Sequence, residues 1–293
     1  MFFATVRSIM SREKYLGMQE GDLDNKKYAK YWNPQMSPMQ KHTLHAIEHG
    51  PEAAELGFPI SDANTLLKPG YLPLENGFTR LSNGQVFVSV LTKMPKVTGK
   101  MIDWWFGWHY LESQRYKLWH PRCHVANKAE KMISDDPNLS DLEKYLNNPN
   151  YVTEYIGSKL QDILITFSEP ATLFDTSQFK NANIETAICG SIGLQKFPLN
   201  FAKLIHLIRE TEDGCEMRSR FWLGKPEIRG LDANGAVNKI AGAKFFAKNS
   251  VSTEMGKELY VHCAMEMNHL SSFLPELYND YHDNKQQSNS TDL

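Results

Sequence analysis

His262 and Glu266, in the stretch YVHCAMEMNHL at residues 260–270, are the pair of side chains best placed to do chemistry in this sequence. They are four residues apart, so on an α-helix both lie on the same face, one turn from each other. The apolar residues around them recur at helical spacing and put that face beside the core. Because an ionised carboxylate buried without a partner is strongly destabilising, Glu266 needs a paired group, a proton or a cation.

Spacing alone leaves two interpretations of this pair open. The first is a His/Glu hydrogen bond that stabilises the helix at the edge of the core, since a two-residue match is common by chance. The second is half of a metal site, because imidazole and carboxylate are both zinc ligands. Zinc needs at least three protein ligands, and one helix cannot supply all of them. The metal hypothesis therefore requires donors from another part of the chain.

Two other segments carry side chains that could complete such a site. RYKLWHPRCHVAN, residues 115–127, contains His120 and His124 in a stretch that Pro121 keeps from being a regular helix, and spacing does not rank the two histidines. NYVTEYIG, residues 150–157, offers Glu154 between apolar neighbours. The alternative for Glu154 is an outward-facing carboxylate on a strand.

Three further residues lie close to these candidates in the sequence. His269 follows Glu266 on the same flank of the helix, and we interpret it as a satisfied core histidine, with a place next to a metal ligand as the alternative. Cys123 and Cys263 each adjoin a candidate ligand. A one-residue step on a strand or helix turns the side chain to another face, so both cysteines are interpreted as packing residues.

The amino-acid composition limits the classes of protein to which this sequence can belong. The 293 residues are 41% hydrophobic, which is enough for a sizeable core in one large domain or two unequal ones. The formal charge of -2 gives no field that would attract nucleic acid or an anionic membrane. Four scattered cysteines without a CxxC pair favour a reduced, cytoplasmic setting. No apolar run is long enough to cross a membrane.

Turn and cap signals predict the elements of the first half. SPMQKHTLHAIEHG predicts a short helix with Ser37 as its N-cap and Gly50 as its end. Two β-rich runs flank residues 82–84, Ser-Asn-Gly, and predict a hairpin. Thr98 is the expected N-cap of a largely buried, aromatic helix that follows. Residues 134–150 read as a loop carrying one short helix.

The second half of the sequence predicts further strands and then one long helix near its end. Two alternating runs around residues 212–214, Glu-Asp-Gly, predict another hairpin. Ser250 or Ser252 can cap a long helix that ends before Pro275. Several antiparallel strands, one long C-terminal helix and a small N-terminal unit together predict an α+β protein.

Four motifs, GYLPLENGF, MIDWWFGWHYLESQRYKLWHPRCH, RSRFWLG and HCAMEMNHLSSFLPELY, follow one another in this order. With them the sequence resembles the 2,4-diacetylphloroglucinol hydrolase family, which includes phloretin hydrolase, from about residue 55 to 280. The resemblance implies a Bet v 1-like (START-like) fold, in which a curved antiparallel sheet surrounds a long C-terminal helix. It also implies a small dimerisation region at residues 1–70, a catalytic domain at 71–280 and a flexible tail at 281–293.

The function that the resemblance implies is zinc-dependent hydrolysis of the carbon–carbon bond between an aromatic ring and an acyl group, in a homodimer acting on small acylated polyphenols. The metal ligands of the family fall on His124, Glu154, His262 and Glu266. The polyphenol contacts of the family fall on Tyr116, Asn127, His206 and Phe221. Phe221 stands where better-known members carry tyrosine, so one hydrogen bond to the substrate is missing and the hydroxyl pattern of the substrate is expected to differ.

The difficult step of such a reaction is the departure of the ring, which must take up a proton at the carbon that bears the acyl group. We expect His206 to move this proton and Glu154 or Glu266 to act as a base. Two alternatives stay open at this point. One is a Bet v 1-like module that binds hydrophobic ligands without chemistry, and the other is a zinc esterase acting on aryl esters.

Overall fold

The computed structural model describes residues 17–231, 235 and 251–283 of the 293-residue chain. The described residues form five α-helices: α1 (Lys41–His49), α2 (Gly99–Trp108), α3 (Ser113–Trp119), α4 (Asp141–Tyr145) and α5 (Thr253–Tyr278). They also form eight strands: β1 (Gly77–Arg80), β2 (Val86–Pro95), β3 (His124–Ala129), β4 (Asn150–Ile156), β5 (Lys159–Ser168), β6 (Ile184–Leu194), β7 (Leu199–Thr211) and β8 (Gly214–Ile228). The predicted α+β class is confirmed.

The strands described above make a single antiparallel sheet in the order β1-β2-β8-β7-β6-β5-β4-β3. Helix α5 contacts β1 and β2 near one edge of this sheet and β4 near the other edge. Because one helix reaches both ends of the strand order, the sheet must curve around it. A curved antiparallel sheet around a long C-terminal helix is the Bet v 1-like arrangement that the resemblance implied.

The core lies between the concave face of the sheet and α5. Tyr260, Met267 and Leu270 on α5 are fully buried there, and Trp105 on α2 and Val88 on β2 belong to the same cluster. Burial of this apolar surface is what holds α5 to the sheet, at roughly 25 cal/mol per Å² removed from water. A second, smaller cluster covers the outer face of the sheet, where the 3-10 helix Ile60–Leu67 packs on Phe87 and Trp222.

Local sequence signals located most of the elements correctly. The two predicted hairpins join β1 to β2 and β7 to β8. Thr98 caps α2 by accepting a hydrogen bond from the Met101 N–H, and Ser252 caps α5 in the same way. Gly50 follows the last residue of α1 with a positive φ of 77°, a backbone conformation that glycine adopts without strain. Ser250, the alternative cap, lies outside the described residues.

The predicted start of α1 and the predicted end of α5 were wrong, and both errors come from long-range packing. Helix α1 begins after Gln40, because the backbone N–H of Ser37 donates to His269 Nδ1 on α5 instead. Helix α5 continues through Pro275 to Tyr278. A proline in a helix costs about 3 kcal/mol or more, but the last turn buries Leu277 completely and sets Tyr278 against Trp104.

Two N-terminal segments, the 3-10 helix Lys27–Tyr31 and α1, pack directly on α5. Tyr28 and Tyr31 belong to the main core cluster, and the hydroxyl of Tyr260 on α5 donates to the Thr43 carbonyl at 2.8 Å. The role of this region in dimerisation stays a prediction. At the other end of α5, a π-helical turn (Asn279–Asp283) places Tyr281 against Trp108, and residues 284–293 of the predicted tail lie outside the described residues. Among the helices described, none has both the length and the apolar character needed to span a bilayer.

Candidate active site

Three elements bring the four predicted metal ligands together. His124 is the first residue of β3 and lies directly opposite Glu154 in the β3–β4 ladder. His262 and Glu266 lie one turn apart on α5, which crosses β4. All four side chains are almost completely buried. Strand pairing therefore sets one half of the cluster and helical periodicity sets the other half.

The distances within this cluster suit a tetrahedral metal ion. His124 Nε2 is 3.4 Å from Glu266 Oε2 and 3.6 Å from Glu154 Oε2. His262 Nε2 is 3.6 Å from Glu266 Oε2 and 3.9 Å from Glu154 Oε2. Ligand atoms around tetrahedral zinc are about 3.3–3.6 Å apart, given Zn–N and Zn–O bonds of roughly 2.0–2.2 Å. The four side chains thus present two nitrogens and two oxygens at near-ligand spacing.

The orientation of His124 supports the same interpretation. Its Nδ1 is 2.9 Å from the backbone carbonyl of Tyr116, so Nδ1 carries a proton and donates it, and Nε2 is the nitrogen that faces the carboxylates. Nε2 is buried and has no hydrogen-bond partner among the described residues. The ring of Tyr116 stacks on the His124 ring at 3.7 Å and holds it in place. A buried imidazole nitrogen that faces two carboxylates has the orientation that a metal ligand requires.

Tyr116 also contacts Glu154. Its hydroxyl donates a hydrogen bond to Glu154 Oε2. Burial, and then the charge of Glu154, raise the pKa of Tyr116 well above its ordinary value, so the phenol keeps its proton. Tyr116 therefore contacts both the histidine and the carboxylate that the sheet contributes to the cluster.

In the metal-free protein, His262 and Glu266 form an ion pair within the cluster. Burial opposes the charged form of His262, but Glu266 and Glu154 outweigh burial and raise the pKa of His262 well above its ordinary value. Burial likewise opposes ionisation of Glu266, but His262 and His124 lower the pKa of this carboxyl to about 2. A metal ion that binds His262 must replace its proton.

Zinc affinity is therefore expected to rise with pH. Across the neutral range His262 is protonated in the metal-free protein, so binding releases one proton and the association constant increases about tenfold per pH unit. Below this range the zinc is released as the proton competes more strongly. Competition against a chelator of known affinity at several pH values measures the slope. A flat profile would show that His262 is neutral before the metal binds.

The carboxylates line a cavity between the sheet and α5. The space inside it that the centre of a water-sized sphere can occupy is about 70 Å³. The predicted substrate contacts Tyr116, Asn127, His206 and Phe221 all line this cavity, together with Glu154, His262 and Glu266. The remaining wall is mostly apolar and includes Phe106, Ile163 and Leu204. An aromatic ring with a few polar substituents matches this combination of surfaces.

His206 stands on β7 beside Phe106 and Phe221, with ring centroids 6.2 and 5.7 Å apart. Its Nδ1 is hydrogen bonded to the Ser219 hydroxyl at 2.7 Å. Burial lowers the pKa of His206 to about 4, so the imidazole is neutral near pH 7. A neutral imidazole can accept a proton and return it, which is the behaviour predicted for this residue.

Sequence reasoning missed two polar residues in the cavity wall. Asn150 is the first residue of β4, its Nδ2 donates to the Asn148 carbonyl at 2.8 Å, and its Oδ1 is buried with no partner among the described residues. His109 follows α2, and its Nδ1 is 2.8 Å from the Trp105 carbonyl. The run of asparagine and proline at 147–150 suggested only a loop, so nothing in the sequence marked Asn150.

The interpretation of Cys123 as a packing residue stays a prediction, but its thiol also lies near a candidate ligand. Its thiol is hydrogen bonded to His262, and one donor atom each from His120, Cys123 and His262 lie within 4.8 Å of one another. Residues 120–123 form a turn before β3 rather than a strand, so alternation of side chains does not apply there. His269 Nδ1 accepts from Ser37 N at 3.1 Å, but its Nε2 is buried with no partner among the described residues, so its interpretation as a satisfied core histidine stays a prediction.

The fold and the site together define a Bet v 1-like protein whose enclosed cavity ends at a cluster of two histidines and two glutamates. The family described as the DAPG hydrolase PhiG domain matches residues 58–279. A 2,4-diacetylphloroglucinol hydrolase from Pseudomonas protegens is 32% identical over 264 residues, covering 88% of this chain and 85% of that protein. A phloretin hydrolase from Eubacterium ramulus is 29% identical over 255 residues, covering 86% and 89%.

This chain belongs to the DAPG hydrolase family. The predictions of the family and of a hydrolase are thereby confirmed. Among solved structures, norcoclaurine synthase from Thalictrum flavum is similar at 9% identity with a TM-score of 0.33, covering 66% of this chain and 96% of that one.

Proposed function

We propose that this protein is a zinc-dependent hydrolase that cleaves the bond between the acyl carbon and the ring of acylated phloroglucinols or related polyphenols, releasing a carboxylic acid. Membership of the DAPG hydrolase family supports the reaction class. The observation that carries the proposal is the pair of buried histidines whose Nε2 atoms lie 3.4–3.9 Å from the carboxylate oxygens of Glu154 and Glu266, beside a cavity lined mostly by apolar and aromatic side chains.

His124, Glu154, His262 and Glu266 would hold the zinc. When bound, zinc supplies Lewis acidity, which makes water a better nucleophile near neutral pH and polarises a carbonyl oxygen. The side chains of the protein exclude water and hold the metal ligands in position. Apolar residues on β5 and β7 keep bulk water from the acyl group, and Tyr116 keeps His124 and Glu154 in position.

The residues around the ring govern the departure of the leaving group. An aryl carbanion is too unstable to leave, so the ring carbon that bears the acyl group must first gain a proton. His206 is neutral and lines the cavity with Nδ1 held by Ser219, which leaves Nε2 to accept a phenolic proton and pass it to that carbon. Water then adds its oxygen to the acyl carbon, the carbon–carbon bond breaks, and the bonding pair leaves as a stabilised enolate.

Glu154 is the carboxylate best placed to accept the proton of the attacking water. Glu266 is held by both histidines, whereas Glu154 is also bound by the hydroxyl of Tyr116, a neutral group that can move to the substrate. A substrate oxygen that takes the Tyr116 hydrogen bond would release Glu154 as a base. Binding of the polyphenol and activation of water are linked in this scheme.

Asn127 and Asn150 would recognise the hydroxyl groups of the ring by accepting hydrogen bonds from them. Both side-chain carbonyl oxygens are buried with no partner among the described residues, and both face the same cavity from neighbouring strands. The amide of Asn150 is fixed by its bond to Asn148, so its oxygen can act only as an acceptor. An acceptor pair of this kind recognises two phenolic O–H groups. Phe221 offers no such group, which supports a substrate with one hydroxyl fewer or differently placed.

Replacing Asn150 with Leu is expected to lower kcat/KM about tenfold for a substrate that donates a hydroxyl to it, because one buried hydrogen bond is worth about 1–1.5 kcal/mol. The same substitution should change kcat/KM little for the matching methyl ether, which cannot donate. Comparing the two substrates on both proteins separates recognition from any loss of stability. An equal fall for both substrates would remove Asn150 from hydroxyl recognition.

A substrate panel tests the proposal against its competitors. Zinc-loaded protein is incubated with an acylphloroglucinol, with its trimethyl ether and with a phenyl ester, and the released acid is measured. The expected result is acid from the free phenol only, since ring protonation requires a ring that can form the keto tautomer. Hydrolysis of the phenyl ester alone would indicate an esterase. Tight binding without release of acid would indicate a binding module.

We also propose that the protein acts in the cytoplasm as a homodimer. All four cysteines lie in the described residues, and none forms a disulfide, which fits a reducing compartment. Homodimerisation rests on the family resemblance alone, and the mass of the purified protein in solution tests it.

A further inference from the structure

A second group of metal-ligating side chains adjoins the first. His120 and Cys123 come from the turn before β3, and His262 comes from α5, and one donor atom of each lies within 4.8 Å of the other two. The ring of His120 stacks on the ring of His262 at 4.7 Å. None of these three residues is more than 8% exposed. The group is separate from the two glutamates and shares only His262 with them.

This group opens to a different pocket from the substrate cavity. A pocket of about 410 Å³ is lined by His120, Cys123 and His262, and its charged lining residues are Glu254, Glu258, Arg122 and Lys257. Neither His120 nor Cys123 lines the aromatic cavity. A cation can therefore reach the group from this outer pocket without passing through the space proposed for the polyphenol.

We propose that His120, Cys123 and His262 form a second metal site, for a thiophilic divalent cation such as zinc or cadmium. One thiolate and two imidazoles are ligands that these ions prefer, and the mixture resembles the sulfur and nitrogen sets of known zinc sites. Hard cations such as magnesium and calcium, which need several oxygen ligands, are excluded by the same donor set.

Sharing of His262 links the two sites. Its Nε2 faces Glu154 and Glu266, so a cation in the outer site takes Nδ1, on the opposite edge of the ring. Binding there removes the thiol proton of Cys123, and the ring proton as well when Nε2 already holds a metal. Both protons pass to solvent. Because the outer cation replaces a proton on the same ring, it changes the donor strength of the nitrogen that serves the inner site, and the rate of hydrolysis is expected to change as the outer site fills.

Cadmium added to zinc-loaded protein tests the proposal. The expected result is one cadmium per chain in addition to the zinc, with an ultraviolet thiolate-to-cadmium charge-transfer band. Cys123→Ser should lose the added cadmium and the band while keeping the zinc. Cys189→Ala, which removes an equally buried thiol on β6, should keep all three signals. No band in the unchanged protein, or a band that persists in Cys123→Ser, would overturn the proposal.

His120→Ala gives an independent check that leaves the thiol in place. It is expected to weaken cadmium binding at least tenfold, because one of three ligands is lost. Displacement of zinc by cadmium, one for one, would also overturn the proposal, since no additional site would exist. These measurements count bound metal and need no turnover, so they stand or fall separately from the proposed hydrolase reaction.

Discussion

Glu266→Gln is expected to lower hydrolysis of an acylphloroglucinol by at least about a thousandfold, the range associated with losing a metal that activates water and stabilises charge. The amide keeps the shape of the side chain but removes the negative charge that pairs with His262 and His124. Two histidines and one carboxylate then hold the zinc, and its affinity falls with the activity. Metal content after dialysis and kcat/KM on the same sample are the measurements.

Glu276→Gln is the matched control for this change. It is the same substitution on the same helix, at an exposed position one turn from the end of α5. It should leave metal content and turnover unchanged. If Glu266→Gln retained both zinc and most of its activity, Glu266 would be no more than a partner for His262, and the first interpretation of this pair, a helix-stabilising hydrogen bond, would stand.

His206→Ala is expected to reduce kcat by about 10²–10⁴-fold, the usual contribution of a positioned acid or base, while one zinc per chain remains bound. The imidazole lies outside the metal cluster and is held by Ser219 in the cavity wall. Its loss should also slow exchange of the ring proton with deuterated solvent, which reports the proton transfer without cleavage of the carbon–carbon bond.

His269→Gln is a suitable comparison for this variant, because His269 is another buried histidine with a pKa lowered to about 4 by burial, yet it does not line the cavity. Its turnover should match that of the unchanged protein. Unaltered ring-proton exchange in His206→Ala would reassign the proton transfer to another group, and His109 would be the next residue to test.

Features set by local sequence were predictable. The hairpin turns at 82–84 and 212–214 and the cap at Thr98 depend on a few adjacent residues, and each lies where the sequence indicated. Helical periodicity placed His262 and Glu266 on one buried face. The register between strands could not be predicted in this way, because no local signal pairs His124 with Glu154. Spacing therefore did not distinguish His124 from His120 as a ligand, and the choice depended on the family resemblance.

The errors share a physical cause, which is competition between local signals and distant contacts. Ser37 is a good cap by type, but its N–H bonds to His269 on α5. Pro275 should end a helix, but burial of Leu277 beyond it continues α5.

The most direct test of the central claim is a zinc titration of metal-free protein in which the carboxylic acid released from an acylphloroglucinol is measured at each step. The site described here predicts no release without metal, a linear rise as zinc is added, and a sharp end to the rise at one zinc per chain. Release of acid that is independent of zinc would contradict the claim that His124, Glu154, His262 and Glu266 form the catalytic metal site.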